Sequence, residues 1–174
     1  MMKKILIAAI SVNGLIAHDE NEFTGWTSKE DKEFFKLTTS KGKNALVIGR
    51  KTFQTYNKPL KDRMNVVMTS SPGKYGKNSD ELLFTDYSPE RIINLLEEQG
   101  YENCFICGGN SVYTQFLETD LIDEFFLTVE SVIFSSGIPL FGNLSFDKRL
   151  VLISKDSINC STLILKYKKY GNLD

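Results

Sequence analysis

The chain has 174 residues, 41% of them apolar and 25% charged, an ordinary composition for a soluble globular protein and enough length to bury a real core in one domain. Its 21 basic and 22 acidic side chains nearly cancel, so no overall field exists to draw nucleic acid or an anionic membrane. No apolar run reaches the ~18 residues needed to span a bilayer, and three cysteines, an odd number, argue against a disulfide framework and for a reducing cytoplasm.

The start, Met1-Met2-Lys3-Lys4 and then residues 5–10, imitates the charged and apolar parts of a secretory signal. Polar Ser11, Asn13 and Gly14 interrupt the run, an acidic stretch follows at 19–22, and no small-x-small cleavage site appears. Residues 4–10 therefore read as a first strand, covered on both faces in a parallel sheet. Residues 11–26 read as a long loop, of the length expected of a functional loop or lid, carrying the only histidine (His18) and the only tryptophan (Trp26). His18 reads as a solvated loop residue.

A helix begins at Thr27-Ser28, where Glu30 and Asp31 each follow a hydroxyl residue by three positions, the capping-box pattern twice over. Asp31, Phe35 and Thr38 then share one face, at spacings of four and three. Asp31 either only caps this helix or, if Glu30 with Thr27 serves the cap, is free to point into a pocket. Residues 45–48 form a second buried strand, ending at Gly49-Arg50-Lys51-Thr52 where another helix starts. Lysine is the default cation of this chain, so each of its four arginines, Arg50, Arg63, Arg91 and Arg149, raises the question of planar, bidentate contacts.

A proline-containing turn at 58–63 leads to a third strand at 64–68, ending in Thr69-Ser70-Ser71. After a polar loop at 72–79 come a brief strand at 82–84 and a helix at 88–99, with Ser88 as N-cap, Pro89 at its first position and Gly100 beyond its end. Residues 104–107 read as a short buried strand, Gly108-Gly109 as a tight turn, and Ser111 onward as a helix. Such a turn aims free N–H groups and the positive end of a helix dipole outward, so it is either plain turn chemistry or a diphosphate cradle. Cys104 and Cys107 form a C-x-x-C, but residues three apart on a strand face opposite sides, which disfavours a redox or metal role. Beyond Asp120, residues 125–134, 150–154 and 161–167 are strand-like with no helix between them. Strands alternating with helices, then strands alone, predict a mostly parallel sheet finished by an antiparallel hairpin.

Three strand ends thus carry ligand-binding chemistry, and ligands of open α/β sheets bind at such carboxyl ends. Leu6-Ile7-Ala8-Ala9, Trp26, Asp31 with Phe35, Ile48-Gly49-Arg50-Lys51-Thr52, Pro59-Leu60 with Arg63, Gly108-Gly109 with Val112-Tyr113, and Leu127-Thr128 are ordered and spaced much as in dihydrofolate reductase. Over roughly residues 4–130 the chain resembles that superfamily. The resemblance implies a three-layer α/β/α fold, residues 1–174 forming one domain. Its central sheet would be mostly parallel, of about eight strands, ending in an antiparallel C-terminal strand. It implies NADPH-dependent reduction of 7,8-dihydrofolate by hydride transfer to C6, in the cytoplasm and without a metal.

Carried over by residue, the resemblance gives catalytic positions to Asp31, Trp26 and Tyr113. Asp31 would assist protonation at N5, and Tyr113 would lie close to the nicotinamide. Arg63 would clamp the glutamate-tail carboxylate, while Ile7, Phe35, Cys107 and Thr128 would line the pterin pocket, Thr128 bonding to Asp31. Ala9, Ile16, Gly49, Arg50, Lys51, Thr52 and Ser70 would hold NADPH, the basic pair favouring its 2′-phosphate. Gly108, Gly109, Asn110, Ser111 and Val112 would take the diphosphate, with a cis peptide bond between the two glycines.

The chain also departs from that pattern. The segment Glu22-Phe23-Thr24-Gly25-Trp26 lacks the usual proline of the lid, and Asn110 stands where a third glycine is common. Ser11-Val12-Asn13-Gly14-Leu15-Ile16-Ala17, Trp26-Thr27-Ser28 and Gly137-Ile138-Pro139-Leu140-Phe141 resemble the reductase domain of riboflavin biosynthesis, a sister branch reducing a ribosylaminouracil phosphate. Asp31 and Arg63 favour the folate branch, and 136–141 the sister branch or a related pteridine reductase. A nucleotide-binding protein without catalysis is the third reading, opposed by the presence of Asp31, Trp26 and both glycines.

Overall fold

The computed structural model describes residues 1–20, 22, 25–56 and 58–171. The chain enters through β1 (Lys3–Ser11) and the short β2 (Leu15–Ala17), then α1 (Lys29–Ser40), β3 (Asn44–Gly49), α2 (Arg50–Tyr56), β4 (Met64–Met68) and β5 (Leu82–Thr85). It returns through α3 (Pro89–Glu98), β6 (Asn103–Ile106), α4 (Asn110–Glu118) and β7 (Glu124–Glu130), and closes with β8 (Ile138–Pro139), β9 (Leu150–Ser157) and β10 (Thr162–Lys169). Eight strands form one sheet in the order β5-β4-β3-β6-β1-β7-β10-β9. Neighbours are parallel from β5 across to β7, and β10 runs antiparallel to both β7 and β9. This is the mostly parallel sheet with an antiparallel C-terminal strand that the element pattern predicts.

Alternation along each strand feeds two helical layers. On β1, Leu6 and Ala8 join the core under α3 and α4, while Ile5 and Ile7 face Phe34 and Phe35 of α1. Phe53 of α2 packs on Ile48, Val67 and Phe84 of β3, β4 and the edge strand β5. Cys104 and Cys107 obey the same rule, Cys104 in the α3/α4 core and Cys107 against the groups packed on the other face. Parallel strands with right-handed crossovers bring the ends of β1, β3, β4, β5 and β6 to one edge of the sheet.

Residues 11–26 are not a loop throughout. Leu15–Ala17 pairs antiparallel with Ile138–Pro139, making a separate two-stranded ribbon. Its two halves are the segments that resemble the riboflavin branch. Asn13 bonds both the carbonyl (2.9 Å) and the N–H (3.1 Å) of Phe134, and Leu140 N–H donates to Gly14 O at 3.1 Å. His18 is an exposed residue outside the ribbon, as the sequence reads it, and its ring also stacks on Phe134 at 3.9 Å while its Nδ1 lies 2.9 Å from Glu22. The missing lid proline concerns Phe23 and Thr24, which lie outside the described residues.

Gly137 closes this ribbon at a φ of +158°, and a Cβ there would stand 2.3 Å from the Ala17 carbonyl oxygen. Backbone cannot yield as a side-chain tip can. Gly137→Ala is therefore expected to lower stability by roughly 1–3 kcal/mol, the usual cost of overpacking, measured by urea unfolding. A stability equal to the unaltered chain's would show that the ribbon does not hold this register.

Candidate active site

The first half of the site is built by the inner face of α1. Ser28 caps the helix, its Oγ accepting the Asp31 N–H at 3.2 Å, while the Ser28 N–H that the Asp31 carboxylate would take in a capping box goes to Glu130 Oε1 at 2.7 Å, so the Asp31 carboxyl is released from capping and turns inward. It is only 8% exposed and hydrogen-bonds the hydroxyls of Thr128 and Thr27. Burial raises its proton affinity above the usual carboxylate range. The two hydroxyls oppose this shift, and the nearby Glu130 charge adds to it. The Thr27–Glu30 capping box is not formed, since Ser28 rather than Thr27 is the N-cap; the Glu30 carboxylate bonds its own backbone N–H and, at 3.3 Å, the Asn159 amide.

One turn further, Phe35 packs with Ile7 and Cys107. The deepest residue of the last turns is Thr39 rather than Thr38, an i, i+4, i+8 row from Asp31. Thr39 Oγ1 accepts from the guanidinium of Arg63, whose Nε donates to Lys61 O at 2.8 Å. Arg63 is thereby held nearly buried, 9% exposed, with N–H donors to spare. Beside this half, Trp26 packs edge-on against Phe134 at 5.0 Å, and its buried Nε1–H lacks a hydrogen-bond partner, the one such buried side-chain atom among the described residues. An orphan donor of this kind calls for a water or a ligand acceptor.

The second half is a cleft of about 960 Å3 along the strand ends. Ala9, Ile16, Gly49, Arg50, Lys51, Thr52, Ser70, Cys107, Gly109, Asn110, Ser111, Val112 and Tyr113 line it. At its centre α4 starts on Gly109, an N-cap with no side chain to satisfy the first N–H groups of the helix. Gly49 and Gly109 keep the floor low: a Cβ on Gly49 would meet Val112 at 3.3 Å, and one on Gly109 would meet Thr52 Oγ1 at 3.3 Å. Uncapped helix donors, close backbone approach and neighbouring cations fit a diphosphate-bearing cofactor. The Gly108–Gly109 peptide bond is cis. Gly108 itself does not line the cleft, because it is buried beneath the Tyr113 ring, and its carbonyl accepts the Gly49 N–H at 2.6 Å. Tyr113 spans the two halves through its hydroxyl, which donates to Ile7 O at 2.8 Å.

A family model described as dihydrofolate reductase matches residues 3–136. The chain belongs to the dihydrofolate reductase family. The Bacillus subtilis (strain 168) protein YwjB, itself uncharacterized, is 29% identical over 161 residues, 86% of this chain and 88% of its own. Dihydrofolate reductase from Enterococcus faecalis, solved in complex with NADP(H) and RAB-propyl, is 26% identical with a TM-score of 0.72, and 97% of each chain is covered. The Thermotoga maritima diaminohydroxyphosphoribosylaminopyrimidine deaminase/5-amino-6-(5-phosphoribosylamino)uracil reductase shares the fold at 18% identity and a TM-score of 0.79, over 97% of this chain and 57% of that one.

Within this family frame, sequence reasoning found three strand ends and missed a fourth. Thr85 to Pro89, at the end of β5, also line the cleft, and the same carboxyl-end rule would have found them. The acidic residues Asp19, Glu20 and Glu22 line it too, and Glu20 pairs with Lys51 across the mouth. Arg50 is also engaged within the chain, through Gln54 at 2.6 Å and the Tyr75 ring at 4.9 Å. Asn110, the departure from a third glycine, donates from Nδ2 to Pro139 O at 2.8 Å and so ties α4 to the ribbon. Burial raises the Cys107 thiol well above its ordinary range, which leaves it a packing group rather than a nucleophile.

Proposed function

We propose that this chain works as a single domain that reduces 7,8-dihydrofolate to 5,6,7,8-tetrahydrofolate with NADPH. The Asp31 carboxyl carries this reading. It is a buried acid on the inner face of α1, freed from helix capping and oriented by Thr27 and Thr128. Ile7, Phe35 and Cys107 would hold the flat pterin ring, and the spare donors of Arg63 suit the carboxylate of the folate tail.

When bound, the reduced nicotinamide would supply the hydride that C6 of the pterin accepts. Asp31 would hold the ring by hydrogen bond and deliver to N5, directly or through water, the proton that completes the reduction. Its raised proton affinity suits a residue that must carry and deliver a proton. The orphan Trp26 Nε1–H would order a water or a ring oxygen beside it. Gly109, Asn110 and Ser111 would take the diphosphate on the start of α4, and Tyr113 would wall the nicotinamide side of the junction.

A second reading has one specific observation behind it: the ribbon of Leu15–Ala17 with Ile138–Pro139 resembles the riboflavin branch and borders the cleft. Oxidation of NADPH followed by absorbance, with dihydrofolate and separately with the ribosylaminouracil phosphate, tests both. Turnover of the uracil substrate alone would transfer the assignment to that branch. Turnover of neither would favour a binding protein without catalysis.

Arg50 and Lys51 at the start of α2 and the exposed Ser70 at the end of β4 would receive the 2′-phosphate that distinguishes NADPH from NADH. Arg50→Ala is expected to narrow the NADPH preference in kcat/KM by about tenfold, the worth of one charge-assisted contact. Equal use of both dinucleotides by the unaltered protein would remove this placement.

A further inference from the structure

The site contains a second buried carboxylate that the reaction above leaves without a task. Glu130, the last residue of β7, is 7% exposed, and no cation pairs with it among the described residues. Its Oε1 accepts the Ser28 N–H at 2.7 Å and its Oε2 accepts the Thr162 hydroxyl at 2.7 Å. Thr128 lies two residues back on the same strand and therefore on the same face. One face of β7 thus grips both ends of a single short path: Thr128 holds the Asp31 carboxyl, and Glu130 holds the backbone of Ser28, whose Oγ caps the Asp31 N–H.

Those two hydrogen bonds do not themselves require a charge. A glutamine could accept the Ser28 N–H through its oxygen and donate its amide to the rotatable Thr162 hydroxyl, without the cost of burying an unpaired carboxylate. What distinguishes glutamate here is its field. We propose that Glu130 positions and tunes the Asp31 carboxyl, tying the first turn of α1 to β7 and setting a second negative charge against the proton site.

This inference rests on the reading of Asp31 as the proton donor. Of the groups facing Asp31, Glu130 on β7 favours its protonated form and Lys32 on α1 opposes it, while Thr27 and Thr128 supply hydroxyls and Tyr113 on α4 a phenol. Lys32 is drawn aside to Thr27 O at 3.1 Å, and Glu30 on the same turn faces Asn159 of the β9–β10 connection. A negative charge held beside an acid disfavours ionisation of that acid, so removing the Glu130 charge must lower the Asp31 midpoint.

The decisive measurement is the 13C NMR titration of the Asp31 carboxyl carbon, assigned by its loss in Asp31→Asn, in the unaltered protein and in Glu130→Gln. The midpoint is expected to move to lower pH in Glu130→Gln. The alkaline limb of the kcat profile should follow it, with turnover at least about threefold lower above neutrality and KM little changed. An unmoved Asp31 midpoint would overturn the proposal. The NMR midpoint needs no substrate, so a protein that turned over no dihydrofolate would sink the proposed function and still leave Glu130 to be judged. Should Glu130→Gln fail to fold, Glu130→Asp, which keeps the charge but withdraws it along a shorter side chain, serves instead: its Asp31 midpoint must differ from that of the unaltered protein, and an identical midpoint would reject the coupling.

Discussion

Asp31→Asn is expected to lose about 10²–10⁴-fold of dihydrofolate turnover near neutral pH, the usual worth of a positioned acid, while folding at least as well as the unaltered chain. Both halves of that expectation follow from burial. The carboxyl is 8% exposed and its proton affinity is raised, chiefly by desolvation, so the native state binds this proton more tightly than the unfolded chain does. For a group shifted in that direction, stability falls as pH rises from the unfolded value through the folded one, because the charged form must be kept buried. Asparagine carries no such charge. The variant should therefore match the unaltered chain in acid and equal or exceed it near neutrality, in thermal melts taken across pH. The helix start should survive, since Ser28 caps through the backbone N–H of residue 31, which the substitution keeps. Normal turnover by Asp31→Asn would reduce the residue to packing and take the folate assignment with it.

The fold was legible wherever a signal repeats along a few adjacent residues. Ser88, Pro89 and Gly100 bracketed α3, and the structure shows Ser88 Oγ accepting the Arg91 N–H at 3.4 Å and Gly100 at a φ of +74°. Strand ends carrying glycine and cations located most of the cleft, because parallel strands bring their carboxyl ends to one edge whatever the details of packing. What stayed hidden depends on contacts between distant segments. The ribbon joins three residues to two across more than 100 positions, too few for any periodicity to register. Its anchor is a side chain, Asn13, reaching the backbone of Phe134. Glu130 reads in the sequence as an ordinary strand residue, and only the arrival of Ser28 and Thr162 at its two oxygens makes it a buried charge. The choice of Thr39 over Thr38 is likewise fixed by Arg63, which no spacing on α1 announces.

Gly108→Ala is expected to be the most damaging single methyl addition near the cofactor cleft, costing roughly 2–4 kcal/mol of stability and most of the dinucleotide affinity. Gly108 sits at a φ of +91°, where a side chain is strained whatever space surrounds it. There is also no space: the added Cβ would fall 2.6 Å from Tyr113 Cε2, 2.7 Å from Cζ and 2.9 Å from the hydroxyl oxygen. The ring cannot swing clear cheaply, because it is 4% exposed and its hydroxyl is committed to Ile7 O at 2.8 Å. Leaving that hydroxyl buried and unpaired would itself cost about 1–3 kcal/mol. The peptide cannot retreat either, since the Gly108 carbonyl accepts the Gly49 N–H at 2.6 Å and so holds together the ends of β3 and β6. Any relaxation therefore moves the first turn of α4, which carries Tyr113 and the N–H groups proposed to meet the diphosphate. Gly109→Ala is the internal control: its φ is −74°, and its added Cβ would meet only Thr52 Oγ1, at 3.3 Å, on a side chain able to give. Urea unfolding should rank Gly108→Ala well below Gly109→Ala in stability, and NADPH titration by fluorescence should show the loss of affinity in Gly108→Ala. Equal or reversed ranking would mean that the Tyr113 ring is not fixed over this turn, and the bridge between the two halves of the site would have to be sought elsewhere.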